Sequence, residues 1–250
     1  MRINKPFTSH IPNLITSLNL LAGCISIVFT FHDQVLIASI LIFVAGIFDF
    51  FDGLVARALK AYSDIGKMLD SLADIVSFGV APSAILFNYL NISLHPGNPG
   101  FDLNSNNWMD YLIPCIAFLI AIFSAIRLAK FTIDERQTAF FIGVPTPANA
   151  FVIASLPFIL QGNLMAQSIL LKIYILVPLI LVLSLLLVSE IPMISLKFKN
   201  LTYKDNKSRF ILVISSLLLL ILLRIKAFPI IFLLYLIISL IDNPQKSSIV

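Results

Sequence analysis

A chain of 250 residues in which 59% are hydrophobic and only 12% charged does not read as a water-soluble domain, where about 25% of residues carry charge. Its mean hydropathy of +0.98 and its recurring apolar runs of about 20 residues mark a polytopic membrane protein; no alternating barrel pattern is present, so backbone hydrogen bonding in lipid calls for helices. The net charge of +4 is modest and belongs with membrane orientation, which argues against a nucleic-acid partner.

Taken in chain order, the pattern predicts eight spans at 12–31, 35–57, 66–90, 110–131, 146–161, 168–189, 209–224 and 227–242. The N-terminal MRINKPFTSHIPN leads into the first apolar run without a convincing small-residue cleavage site, so the first helix is expected to be retained. The fifth span is short and holds Pro157, and a tight turn around Lys226 separates the last two. Cys24 and Cys115 lie inside apolar runs and are expected as buried thiols with no disulfide and no metal-binding spacing. His10, His32 and His95 fall in different segments and do not suggest a shared metal site. The sequence predicts an all-α bundle with a six-helix core over residues 1–190. A basic loop and a C-terminal helical hairpin follow over 191–250.

Lysine and arginine set the orientation. With the N-terminus in the cytoplasm, 14 of the 17 basic residues fall on the cytoplasmic side, and only Lys172, Arg224 and Lys226 fall outside. The loop Asn91–Asn107 has no Lys or Arg and belongs outside. Residues 190–208 form the longest basic cytoplasmic segment and read as an anchor on anionic lipid.

One stretch conflicts with its surroundings. Asp49–Asp74 reads DFFDGLVARALKAYSDIGKMLDSLAD, and a carboxylate within an apolar span costs about 2.5–3.5 kcal/mol on insertion scales. Asp49 and Asp52 are spaced i, i+3 and Asp70 and Asp74 i, i+4, so each pair shares one helical face. Arg57, Lys60 and Ser63 lie between them as a turn at the membrane surface. Two helices joined this way run antiparallel and bring the pairs across one cleft, with Gly53 and Gly66 allowing close approach. Divalent cations are the simplest compensation, because hard metals prefer carboxylate oxygen.

As a pattern the stretch is D-x2-D-G-x2-A-R-x8-G-x3-D-x3-D, running Asp49, Asp52, Gly53, Ala56, Arg57, Gly66, Asp70, Asp74. It resembles the signature of the CDP-alcohol phosphotransferases at every position. Further blocks resemble the bacterial membrane-bound phosphatidylserine synthases: Pro12-Asn-Leu-Ile-Thr16, Asp74-Ile-Val-Ser-Phe-Gly-Val-Ala-Pro-Ser83, Ile126-Arg-Leu-Ala-Lys-Phe131 and Phe141-Ile-Gly-Val-Pro-Thr-Pro-Ala148. The resemblance covers about residues 10–190. The family pattern often continues Phe-Asn where this chain has Phe131-Thr132.

The resemblance implies an enzyme of the bacterial cytoplasmic membrane, with its site facing the cytoplasm. It would move the phosphatidyl group of CDP-diacylglycerol to L-serine and release CMP. Two divalent cations, Mg²⁺ or Mn²⁺, would neutralise the four carboxylates and clamp the diphosphate. By the same resemblance Asp49, Asp52 and Asp70 are metal ligands. Asp74 is the general base and is also placed at the metals. Asn13, Thr16, Asp52, Gly53, Ala56, Arg57 and Gly66 receive the CDP-lipid, and Arg127 and Lys130 meet the acceptor or its phosphate. The bland reading of Arg127 and Lys130 is a positive-inside anchor. That of Asn13 and Thr16 is a helix start, and that of Gly143–Pro147 a simple turn. Family members are commonly dimers, so a homodimer is compatible.

Two alternatives stay open at this point. Another acceptor, such as glycerol-3-phosphate or inositol phosphate, would suit the same core, although an anionic acceptor calls for more cations near the cleft. An ion transporter would also place carboxylates within spans, but it would spread them along a route rather than gather them on two helices.

Overall fold

The computed structural model describes residues 10–61, 63–95, 108–133, 141–194 and 206–242. Residues 96–107 of the loop expected outside, and most of the basic segment 190–208, lie outside the described residues. α1 (His10–Phe31) and α2 (Val35–Leu59) form an antiparallel pair. α2 stops at Lys60, whose left-handed φ of 52° turns its amide back onto the carbonyls of Ala56 and Arg57. α3 (Asp64–Asp74) starts immediately afterwards, capped by the Ser63 hydroxyl, which accepts from the Gly66 amide at 3.0 Å. That cap satisfies one of the orphan donors of a helix start, and α3 packs against α1.

α3 continues without a loop into a π-helical segment, Ile75–Val80, and then α4 (Ala81–Leu94). Together these make one run of 31 residues, the most deeply buried of the spans. α4 is enclosed by other helices, with every residue from Ala81 to Asn91 buried. α5 (Met109–Cys115) and α6 (Leu119–Ile133) are joined by a 3-10 turn over Ile116–Phe118. The turn follows Pro114, which cannot donate to the helical ladder. α7 (Thr146–Leu160), α8 (Leu164–Leu170) and α9 (Ile173–Val188) follow, and α8 and α9 meet at a 70° bend. α10 (Lys207–Leu223) and α11 (Phe228–Asp242) are separated by a 3-10 turn at Arg224, where φ is 53°.

Two short strands, β1 (Phe141–Ile142) and β2 (Pro192–Met193), pair antiparallel, with Phe141 opposite Met193 and Ile142 opposite Pro192. This small ribbon ties the entry of α7 to the exit of α9, an element absent from the helical expectation. The core contains Ile42, Phe78, Ile85, Leu86, Ile120 and Ile153, none of them accessible. Phe151 stacks on Phe43 at 5.1 Å and meets Phe78 edge-on at 6.1 Å. Such ring pairs contribute about 0.5–1.5 kcal/mol each. They matter in a bundle where lipid removes most of the hydrophobic drive between helices.

The fold is a polytopic membrane helix bundle. Among the described residues, five helical runs are long and apolar enough to span a membrane, or six when the bent α8–α9 pair counts as one. The expectation of eight differs for a physical reason. α7 has 15 residues, about 22 Å against a hydrocarbon core of about 30 Å, and α10 and α11, of 17 and 15 residues, count together as one run of 36, Lys207–Asp242. The cysteines also correct the expectation: Cys24 and Cys115 are exposed, on outward faces that an apolar sequence run cannot distinguish from inward ones.

Candidate active site

The cap at Ser63 and the turn at Lys60 place the two acidic pairs on facing helices. Carboxylate oxygens of Asp49, Asp70 and Asp74 all lie within 4.8 Å of one another. Asp52 stands outside this tight group, although its charge is felt by the other three. It is 5% exposed, and its Oδ2 accepts from the Thr16 hydroxyl at 2.6 Å. Asp74 is 8% exposed and accepts from Asn19 Nδ2 at 3.4 Å. α1 thus supplies a neutral partner to one acid from each pair.

The donor set suits a hard cation. Three carboxylates from two helices converge, and Asp70 Oδ1 is buried without a hydrogen-bond partner. An orphaned carboxylate oxygen beside two further acids is costly unless a cation or proton compensates it. The cluster therefore fits a metal ion.

A cavity of about 670 Å³ opens beside the acids. Asn13 and Thr16 of α1, Asp52, Gly53 and Ala56 of α2, and Gly66 and Asp70 of α3 line it. The lack of a side chain at Gly66 is required here, since a Cβ would lie 2.8 Å from Asn13 Oδ1 and 2.9 Å from Ser63 Oγ. Asp64 and Lys67 line the same mouth. Seven of the residues expected at the nucleotide and metal end thus come together in one place.

Arg57, Arg127 and Lys130 are not among the residues lining that cavity. Arg57 reaches back along α2, its Nη1 3.9 Å from where a Cβ on Gly53 would stand. Arg127 of α6 is 8% exposed and within electrostatic range of Asp74. Lys130, nearly one turn further on, is exposed.

Sequence reasoning missed Asn19, Tyr235 and Asn149. Asn19 is a lone amide in the apolar middle of α1, and that oddity was a usable signal. Asn149 is fully buried in the first turn of α7, with neither amide atom hydrogen-bonded, directly after the Phe141–Ala148 block. Tyr235 of α11 donates its hydroxyl to the Ile194 carbonyl at 3.1 Å, and nothing in its sequence surroundings marks it.

Comparison with known sequences agrees with this geometry. A family described as CDP-alcohol phosphatidyltransferase matches residues 9–188. The CDP-diacylglycerol–serine O-phosphatidyltransferase of Bacillus subtilis is 34% identical over 162 residues, 63% of this chain and 81% of that protein. A protein of the same name from Helicobacter pylori strain J99 is 36% identical over 144 residues, 57% of this chain and only 54% of its own length. Another from Methanocaldococcus jannaschii is 34% identical over 171 residues, 64% of this chain and 72% of that protein. With its acidic pairs converged on facing helices and most of its length matched, the chain belongs to the CDP-alcohol phosphatidyltransferase family.

Proposed function

We propose that the chain transfers the phosphatidyl group of CDP-diacylglycerol to L-serine, giving phosphatidylserine and CMP, at the cytoplasmic face of the membrane. The convergence of Asp49, Asp70 and Asp74 beside a cavity large enough for a nucleotide carries this reading. Relatives at about 34% identity that are named for the serine reaction support the choice of acceptor. The basic-residue asymmetry supports the orientation. Residues 1–190 would form the transferase core, and 191–250 the basic loop and a C-terminal helical hairpin.

In this proposal Asp49, Asp52 and Asp70 hold two divalent cations, Mg²⁺ or Mn²⁺, with Asp74 beside them. When bound, such ions neutralise charge on a diphosphate and on its departing phosphate. The protein's own groups do the rest. Thr16 fixes the Asp52 carboxylate through the 2.6 Å hydrogen bond. Asn13, Gly53, Ala56 and Gly66 leave room at the cavity wall for the cytidine end, and Arg57 faces a phosphate. Asp74 takes the proton of the serine hydroxyl as its oxygen attacks phosphorus and the CMP oxygen leaves. Its burial and the Asn19 amide hold that carboxylate in place, and a positioned base contributes about 10²–10⁴ in rate. Arg127 meets the serine carboxylate, with Lys130 at the outer edge.

The test uses purified full-length protein in lipid, supplied with CDP-diacylglycerol and, separately, serine, glycerol-3-phosphate or inositol phosphate. CMP release is expected with serine and Mg²⁺ or Mn²⁺, and is lost on chelation. CMP release with another alcohol but none with serine would reject the serine assignment.

A further inference from the structure

Three carboxylates line the cavity beside the acids, those of Asp52, Asp64 and Asp70, and among the described residues one basic side chain lines it, that of Lys67. A nucleotide diphosphate brought into this cavity is an anion entering an acidic wall, so the place of its cation matters. Arg57, assigned to a phosphate above, does not line the cavity. Lys67 closes the first turn of α3 and is exposed. Its backbone is fixed: the amide donates to the Ser63 carbonyl at 3.1 Å, and the carbonyl accepts from the Ser71 hydroxyl at 3.2 Å. Its side chain is uncommitted. Asp64 and Asp70 stand three residues before and after it, a spacing at which opposite charges on a helix commonly pair. Among the described residues, no hydrogen bond or ion pair engages the Lys67 ammonium.

A free ammonium on an open surface is ordinary, and one at the rim of an acidic cavity is placed for an anion. Three residues of α-helix rise about 4.5 Å, so Lys67 stands less than one turn from Asp70 along α3. A lysine stem of four carbons spans that interval, which brings a phosphate beside Asp70 within reach of the ammonium. The intervening wall does not obstruct it, since Gly66 has no side chain and Asn13 and Thr16 are neutral. An ammonium is a compact point charge with three rotatable donors, suited to one phosphate oxygen. The bond broken in the proposed reaction leaves its electron pair on the CMP phosphate, so the negative charge grows on the nucleotide side.

We propose that Lys67 binds the phosphate on the CMP side of the diphosphate, from the α3 rim of the cavity, and holds CMP after transfer. The inference rests on the nucleotide reading made above and is independent of which alcohol accepts the phosphatidyl group. A lysine that served only as a membrane-surface anchor would not distinguish a nucleotide from a nucleoside, whereas a phosphate ligand must.

The test uses full-length protein in lipid micelles and follows phospholipid formed from acyl-labelled CDP-diacylglycerol, with CMP or cytidine added as a competing ligand. Lys67→Met keeps the stem and removes the charge. It is expected to raise the Ki of CMP about tenfold, the size of one lost interaction between charged groups, and the KM for CDP-diacylglycerol with it. The Ki of cytidine, which has no phosphate, and the serine KM stay unchanged. Lys67→Arg, which keeps the charge, restores most of the CMP affinity. Lys207→Met removes the same charge from an exposed position at the start of α10, outside the cavity, and leaves the CMP Ki unchanged. An unchanged CMP Ki in Lys67→Met, an equal rise for cytidine, or an equal rise in Lys207→Met overturns the proposal. If the wild-type protein makes phospholipid only with a different alcohol, the serine assignment falls by itself, and the same Ki comparison, made with that alcohol, decides the role of Lys67. If CMP does not compete in the wild-type protein, the nucleotide reading falls and the role of Lys67 falls with it.

Discussion

The site has two sides, and they satisfy their polar groups differently. On the α1–α3 side, charge is concentrated and locally supported: Thr16 donates to Asp52 and Asn19 to Asp74. Among the described residues of these helices the oxygens left over are Asn19 Oδ1, Ser39 Oγ and Asp70 Oδ1, and the charged one, beside two further acids, points to a cation. Among the described residues of α6, α7 and α9, the buried side-chain groups without hydrogen-bond partners are Arg127 Nε, the Ser124 and Ser184 hydroxyls and both amide atoms of Asn149. One cation among neutral donors and acceptors suits a small zwitterion better than a second diphosphate. In a bundle surrounded by lipid, polar atoms left without protein partners are expensive.

The harshest way to break this comparison is to remove charge where the two sides meet. Asp74→Asn keeps the shape and the Asn19 contact but supplies no base. Turnover should fall by about 10²–10⁴, while CDP-diacylglycerol binding, measured directly, persists. Near-normal CMP release from this variant would mean that Asp74 does not take the serine proton and that the division between the sides is wrongly drawn.

The asymmetry also explains what could be read from the sequence. The α1–α3 side was legible because carboxylates in apolar runs announce themselves, and i, i+3 and i, i+4 spacing fixes their faces without tertiary information. The Ser63 cap and the turn at Lys60 are local events within a few residues of one another. The other side is assembled from α6, α7, α9 and α11, and only packing brings those helices together. Tyr235 lies 41 positions from Ile194 along the chain, and no periodicity links them. Nor did hydropathy reveal the break at Arg224 as a left-handed residue, or the two-residue ribbon between β1 and β2. Both are too short to leave a pattern.

A milder change tests whether the acidic side needs its close backbone approach. A Cβ on Gly23 would lie 2.8 Å from the Ser77 Cα and closer still to its hydroxyl oxygen. The hydroxyl can rotate, but the backbone cannot. Gly23→Ala must therefore push α1 away from the π-helical segment, straining the Ser77 hydroxyl bond to the Asn19 carbonyl, 2.9 Å long, and with it the Asn19 contact to Asp74. Overpacking of this kind costs about 1–3 kcal/mol, so Tm should fall by several degrees, about 2–4 °C for each kcal/mol. Turnover should fall with it, by more than the loss of folded protein explains. A variant with unchanged Tm and unchanged turnover would show that the approach of α1 is not needed to hold the acids.

The smallest expected effect is the most discriminating between the sides. The Thr16 hydroxyl has one proton and two acceptors in reach, Asp52 Oδ2 at 2.6 Å and the Pro12 carbonyl at 3.1 Å. Asp52 also has the backbone amide of Gly53, so Thr16→Val weakens the support of that carboxylate without abolishing it. The loss should be about 1 kcal/mol, or about fivefold. It should appear as a higher KM for CDP-diacylglycerol with kcat and the serine KM unchanged, because the hydroxyl touches only the nucleotide side. If Thr16→Val instead raised the serine KM, the two sides would not act as separate binding surfaces, and Arg127 and Asp52 would have to be treated as one electrostatic unit.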